Sequence, residues 1–393
     1  MANRKFLTLA FACATMCAVI PAAMTPVQAA TAGPAVKTGF KVPRLSDGHP
    51  DLQGGWTNST LTPINRPREY GDRLIMTPAE MAKIEGDNDR LIALGNEPTP
   101  VNATVAEVSA KADCSGGRVT NCNYNAAFTA PGDSIMRVNG QGRTSLLTTP
   151  NGQFPAPKGG AARGGRGQAA EEGEGEGPPA AGRAGRGGGA AATTPPRGAG
   201  VPAITRGPAY DNPETRGLAE RCIMSFGRSA TPPMFDQLYN SNYQFVQGKD
   251  TLAIWVEMVH DVRVVRIGGK HRTDGIRPYM GDSIGHWEGD TLVVETTNIP
   301  QSGAYQGSWE HLTMIERFTR VAPNRLHYQF IVNDPTMWDQ PWGGEYEFAK
   351  GSPPFEYACH EGNYALEDVL AGARAADAAD AGRTITTLAP VIR

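Results

Sequence analysis

The 393-residue chain is missing most of the signatures that let a sequence announce its chemistry. It has no G-x-S-x-G nucleophile elbow, no H-E-x-x-H zinc helix, no phosphate-binding P-loop and no dinucleotide fingerprint. Seven histidines are scattered without H-x-H spacing, and the cysteines lack C-x-x-C pairs. No metal or other cofactor is therefore expected from local motifs. Positive charge is also short. The formal balance is −3, and removing residues 1–29, with Arg4 and Lys5 as their only charges, makes it −5. A mildly acidic chain lacks the basic footprint of a nucleic-acid binder.

Long apolar runs are absent as well, except at the N-terminus. Arg4 and Lys5 precede the run Phe6–Ile20, and Val27-Gln28-Ala29 offers small residues at a peptidase site. The run is about 15 residues and ends at Pro21, short of the roughly 20 a spanning helix needs. Residues 1–29 read as a secretory signal peptide cut after Ala29, giving a periplasmic or secreted protein with no stable membrane insertion. Four cysteines then remain: Cys114, Cys122, Cys222 and Cys359. An even number in an oxidising compartment suggests two disulfides. Three pairings are open; the preferred one joins Cys114 to Cys122 across SGGRVTN and Cys222 to Cys359.

Residues 156–205 lack almost every side chain that could build a core. From Ala156 to Gly200 the composition is almost all Gly, Ala, Arg, Pro and Glu with no aliphatic or aromatic anchor, so this reads as a disordered insert. Its Arg-Gly repeats resemble RNA-binding tracts, but EEGEGEG in the same insert argues against that role. Residues 30–155 read as an N-terminal segment packing on the β-domain. It holds one clear helix, opened by Thr77-Pro78-Ala79-Glu80 as a capping box with Pro at the first helical position, and stopping by Gly95. Trp56, in a Gly54-x-Trp56 spacing similar to the opening of lipocalin-type barrels, reads as a core plug.

What is present in quantity is strand signal. From 206 to 372 strands are expected at Tyr243–Gln247, Thr251–Ile267, Gly285–Glu288, Thr291–Thr297, Leu312–Val321, Arg325–Asn333 and Glu345–Phe348. They are punctuated by Gly268-Gly269, Gly289-Asp290 and Pro323-Asn324. Many short strands with tight turns predict a mainly β fold, an antiparallel meander closed as a lipocalin-like β-barrel with a few peripheral helices. An Ala-rich stretch at 369–380 is a candidate closing helix, and 373–393 form a C-terminal tail.

Side-chain alternation on these strands sorts the candidate chemistry. On an unbroken strand from Thr251, His260 shares the inward face with Leu252, Ile254 and Val256, while Asp261 and Arg263 face the other way. Glu316 shares a face with Leu312, Met314 and Phe318; a carboxylate there needs a cation or carries a raised pKa. Arg277 is one candidate cation. Tyr328 shares a face with Leu326 and Phe330 and is a candidate proton donor. The loop residues Arg277, Asp282 and Asn298 sit where barrel-mouth binding groups occur. His360 and Glu361, in YACHEGNY beside Cys359, would be held rigidly by a Cys222–Cys359 bridge. Trp338 is a candidate stacking platform. The structural alternatives are a hydrogen-bonded core histidine for His260, an ion pair for Glu316, loop capping for Asp282 and Asn298, and core packing for Trp338.

The segments DLQGGWTN, GHWEGDTLVVETTN, ERFTRV, DPTMWDQPW and YACHEGNYAL resemble a family of exported bacterial proteins to which no activity is attached. The resemblance spans most of the chain outside the insert. It implies a shared fold and export, and it carries no catalytic residue over. The functional expectation is an exported enzyme of lyase or hydrolase type. It would use His260, Glu316, Tyr328 and His360 for acid/base chemistry on a small aromatic or carbohydrate-derived substrate. Arg277, Asp282, Asn298, Trp338 and Glu361 would bind that substrate. The alternatives are a non-catalytic periplasmic binding protein for an apolar or aromatic ligand, and an envelope interaction module.

Overall fold

In the computed structural model, the described residues are 36–95, 132–158, 218–225, 231–236, 241–359 and 364–380, with 101, 102, 104, 213 and 216 as isolated positions. All fall in one unit, Ala32–Arg393. Nine strands close into a barrel: β1 (Gly54–Thr57), β4 (Asn242–Gln247), β5 (Thr251–Val256), β6 (Val262–Ile267), β7 (Asp282–Glu288), β8 (Thr291–Thr297), β9 (Thr313–Ala322), β10 (Arg325–Asn333) and β11 (Trp342–Lys350). A small ribbon, β2 (Arg137–Val138) with β3 (Gln141–Gly142), lies outside it. Two α-helices, α1 (Pro78–Gly95) and α2 (Ala365–Asp380), and three short 3-10 turns complete the described elements. None of the described helices is long and apolar enough to cross a membrane.

The strands form because inward positions are apolar at every second residue. On β10, Leu326, Tyr328, Phe330 and Val332 are buried; on β5, Leu252, Ile254 and Val256 are. Neighbours run in sequence order from β4 to β11, antiparallel throughout except at one seam, as a meander requires. That seam is β6–β7, a parallel pair of only three residues, Val265–Ile267 against Ser283–Gly285. The two-residue turn Gly289-Asp290 joins β7 to β8, with Gly289 at φ 60°. Closure comes from β1, which pairs with β4 on one side and β11 on the other. Trp56 on β1 is fully buried and its indole N–H donates to the Leu52 carbonyl at 2.9 Å.

Where one long strand was expected, from Thr251 to Ile267, the chain instead makes a hairpin. A 3-10 turn at Met258–His260 separates β5 from β6, with Val259 at φ 58° and His260 at φ 43°. A β-branched residue in the left-handed region is strained and persists only where its surroundings hold it. They do: Val256 N–H donates to the Asp261 carbonyl at 3.0 Å, and Asn242 Nδ2 donates to Glu257 Oε2 at 3.0 Å. The Asp261 carboxylate in turn accepts the Ser225 N–H at 3.1 Å. The turn resets the side-chain alternation beyond it.

Residues 132–148 pack beside β11: Leu147 bridges to Gly344 at its edge, and Arg143 pairs with Glu345. Thr148 N–H donates to the Gly343 carbonyl at 3.0 Å and Glu345 N–H to the Leu146 carbonyl at 3.1 Å. The capping box of α1 forms as expected, with Thr77 N–H donating to Glu80 at 2.7 Å and Glu80 N–H to Thr77 Oγ1 at 3.3 Å. The preferred pairing of Cys222 with Cys359 is present, as a disulfide with Cα atoms 5.8 Å apart. Cys114, Cys122 and the 156–205 insert, apart from residues 156–158, lie outside the described residues.

Candidate functional site

The polar centre of the barrel is built on Glu316. It sits mid-strand on β9, opposite Val294 on β8 and Phe330 on β10, and is fully buried. A lone carboxylate there would be costly. Its partner is Arg263 on β6, 2 % exposed, whose Nη1 donates to Oε2 at 2.6 Å and whose Nη2 donates to Oε1 at 3.0 Å. The Tyr328 hydroxyl donates to the same Oε1 at 2.9 Å. Both carboxylate oxygens are thus engaged, in the bidentate geometry that suits guanidinium.

This network grips a segment of chain entering the barrel. Met234 N–H donates to the Tyr328 hydroxyl at 3.2 Å, and Arg263 Nη2 reaches Met234 Sδ at 3.4 Å. The Met234 carbonyl accepts Asn58 Nδ2 at 2.6 Å and the Tyr346 hydroxyl. Phe235 then packs edge-on to Phe330, with centroids 5.2 Å apart. Asp236 follows, partly accessible as a residue. Burial pushes its carboxyl up to about 7, against an opposing hydrogen bond from its own backbone. Its charge in turn acts on Tyr243 and Tyr346, whose hydroxyls are held neutral mainly by burial. The walls are aromatic: Tyr243 stacks on Phe348 at 5.5 Å, and Tyr328 lies 4.9 Å from Tyr346.

Of the expected site residues, Glu316 and Tyr328 face inward and touch one another. His260 does not join them. It is exposed in the 3-10 turn, because the strand expected to carry it inward ends at Val256. The same reset turns Arg263 inward, reversing its expected orientation, and Arg263 takes the cation role considered for Arg277. Arg277 donates to the Ile299 carbonyl at 2.9 Å and lies 5.1 Å over the Trp309 ring. Trp338 is a buried core residue, edge-on to Trp342 at 5.7 Å. His360 and Glu361 lie outside the described residues.

Asp282 belongs to a separate cluster beside the parallel seam. It accepts Arg266 Nη2 at 2.6 Å, the Arg272 N–H at 2.7 Å and faces His271 Nδ1 at 3.1 Å; His271 Nε2 lies 2.9 Å from Glu295. Burial alone would raise the Asp282 carboxyl, but the Arg272 N–H, His271 and Arg266 outweigh it and hold it low. Asn298, at φ 54°, approaches the Arg272 carbonyl at 3.5 Å. Asp282 and Asn298 thus act on the 268–281 crossover rather than on the barrel interior. Among the described residues no group of three or more His, Cys, Asp or Glu side chains is placed to hold a metal ion.

Alternation alone could have found Tyr346, which shares a face with Phe348 on the expected last strand. Asn58 and Asp236 carried no such signal, since each acts from irregular chain next to a proline-rich or strand-end segment. The fold and site together define a closed mixed β-barrel with an ion pair at its centre. No family model matches the chain, and no curated protein or solved structure matches it. The resemblance to exported bacterial proteins therefore rests on the quoted segments alone.

Proposed function

We propose that this protein is an exported enzyme of lyase or hydrolase type, acting by acid/base chemistry on a small aromatic or carbohydrate-derived molecule at the barrel interior. One observation carries the reading. Arg263, Glu316 and Tyr328 converge within hydrogen-bond reach and clasp the segment that delivers Asp236 among tyrosine hydroxyls. A carboxyl that titrates near 7 is matched to proton transfer at neutral pH. Asp236 is the acid/base group in this reading. Tyr243, held neutral by burial, is the hydrogen-bond donor to developing negative charge, while the Tyr346 hydroxyl is committed to the Met234 carbonyl. Glu316 and Arg263 are positioning residues, because their polar contacts are with each other, Tyr328 and Met234. The aromatic wall supplies the apolar contact surface for the substrate. Export is supported by the N-terminal Arg4–Ile20 pattern and by the Cys222–Cys359 bridge, a bond that persists in oxidising compartments.

The test is a screen of aryl and glycosyl hydrolase and lyase substrates with wild type and D236N. Loss of the acid/base group lowers turnover about 100-fold or more. The variant also has a stability signature. The folded carboxyl is raised, so wild type loses stability as pH rises from about 4 through 7, and D236N does not. A D236N protein with wild-type turnover ends the proposal. The full commitment of both Glu316 oxygens favours a second reading, a binding protein whose interior polar groups only shape an aromatic ligand site. Aromatic-ligand affinity unchanged in D236N, with no turnover in wild type, is its expected result.

A further inference from the structure

His327 lies on β10 with its side chain on the outer face of the barrel, alternating with the inward Leu326 and Tyr328. It is 1 % exposed, Arg143 of the 132–148 segment acts on it, and neither ring nitrogen has a hydrogen-bond partner among the described residues. A fully buried imidazole with both nitrogens unmatched costs free energy and calls for an explanation. Its surroundings supply one. Glu347 on β11 and Thr319 on β9 stand directly opposite it across the sheet. The Glu345 carboxylate lies 3.7 Å from its Nε2, beyond hydrogen-bond range but within ion-pair range. That carboxylate is already engaged by Arg143, the buried cation that this segment inserts, and by Gln329 Nε2 at 3.2 Å. Glu347 accepts the Asn139 N–H at 3.0 Å from the same segment. Arg325, farther along β10, acts on Glu347, while Thr319 is bonded to Thr291 at 2.7 Å. Arg137, also on the segment, is paired with Glu85 on α1.

We propose that His327 is a proton-operated latch, which keeps residues 132–148 on the barrel wall when neutral and releases them when protonated. The closed arrangement tolerates His327 only as a neutral ring. Protonation places an imidazolium in a sealed interface beside Arg143, in competition for the one carboxylate that anchors Arg143 to β11. With Arg325 the local charges become three cations against Glu345 and Glu347, and burial already biases Glu347 toward its neutral form. Lifting the segment hydrates the imidazolium and removes Arg143 from its side. The direction of the ring's titration agrees: burial first, then Arg143, depress it to about 4 from an ordinary value near 6.5. The closed form therefore has its full advantage above pH 6.5 and loses it as pH falls toward 4. Linkage between those two values makes the opening constant rise about 20-fold from pH 7 to pH 5. Glu347, titrating in the opposite sense, acts against this rise in wild type and in a His327 variant alike.

The experiment is amide hydrogen exchange on the full chain, corrected for intrinsic exchange rates, following peptides from 132–148 and from β9 at pH 7, 6 and 5. In wild type, protection of 132–148 falls by the stated factor beyond that in H327Q, while β9 keeps its protection. Equal pH dependence in wild type and H327Q overturns the latch, and so does an equal loss from β9, which would be global unfolding. If H327Q does not fold, the His327 ring is titrated by NMR in wild type. A midpoint near 4 supports the latch, and an ordinary midpoint near 6.5 overturns it.

Discussion

Replacing Arg263 by methionine strips the central carboxylate of its counter-ion while keeping a long, flexible apolar side chain in the space. Two charge-assisted bonds, at 2.6 and 3.0 Å, disappear, and Glu316 keeps only the Tyr328 hydroxyl. Both side chains are at most 1 % exposed, so water cannot replace the guanidinium without opening the barrel. Breaking such a pair from one side costs about 3–5 kcal/mol. That is about a fifth or more of a typical domain stability of about 5–15 kcal/mol. Removing both charges in R263M/E316M behaves differently. No ion is stranded, and the remaining cost is the Tyr328 hydroxyl left without its acceptor, about 1–3 kcal/mol. The double variant is therefore more stable than R263M alone, and the two substitutions are strongly non-additive. Urea unfolding followed by tryptophan fluorescence at pH 8 measures all of this. An R263M deficit below about 1 kcal/mol, or strictly additive variants, would refute the view that the pair is sealed in the barrel.

Two further perturbations test how the barrel is held. A Cβ at Gly344 would sit 2.4 Å from the Leu146 carbonyl and 2.7 Å from the Phe330 ring, so G344A should cost about 1–3 kcal/mol by thermal unfolding. A deficit within error of zero would mean that the 132–148 segment does not approach β11 this closely. Opening the Cys222–Cys359 bridge, which spans a sequence separation of 137, should lower stability by about 2–5 kcal/mol in C222S/C359S. Equal denaturation midpoints for oxidised and reduced wild type would count against the bridge.

Much of the barrel was legible because alternation is a local property. Glu316 and Tyr328 were placed on inward faces from their strand neighbours, and those two side chains touch. The capping box of α1 was equally local. What failed was continuity. Thr251 to Ile267 contains no glycine, asparagine or proline before Gly268, so nothing local marks a reversal at 257–261. The turn is imposed from outside, by Asn242 on Glu257 and Asp261 on Ser225, and it holds Val259 in a conformation its own chemistry disfavours. One misread turn exchanged the roles of His260 and Arg263. The closing strand β1 was signalled only by the Gly54-x-Trp56 spacing, because it carries glycine where strand formers are usual: a Cβ on Gly55 would fall 2.7 Å from the Gly351 carbonyl, so close backbone approach requires glycine there. The parallel seam and the entry of 231–236 into the barrel are long-range outcomes with no local signature.

The central claim is that the barrel interior holds a carboxyl poised for proton transfer, delivered by the clasp on Met234. Its most direct measurement is the carbon-13 titration of aspartate carboxyls in the folded protein, with Asp236 assigned by its loss in D236N. A midpoint near 7 is expected for that resonance. A midpoint near 4, the ordinary value for an exposed aspartate, would contradict it.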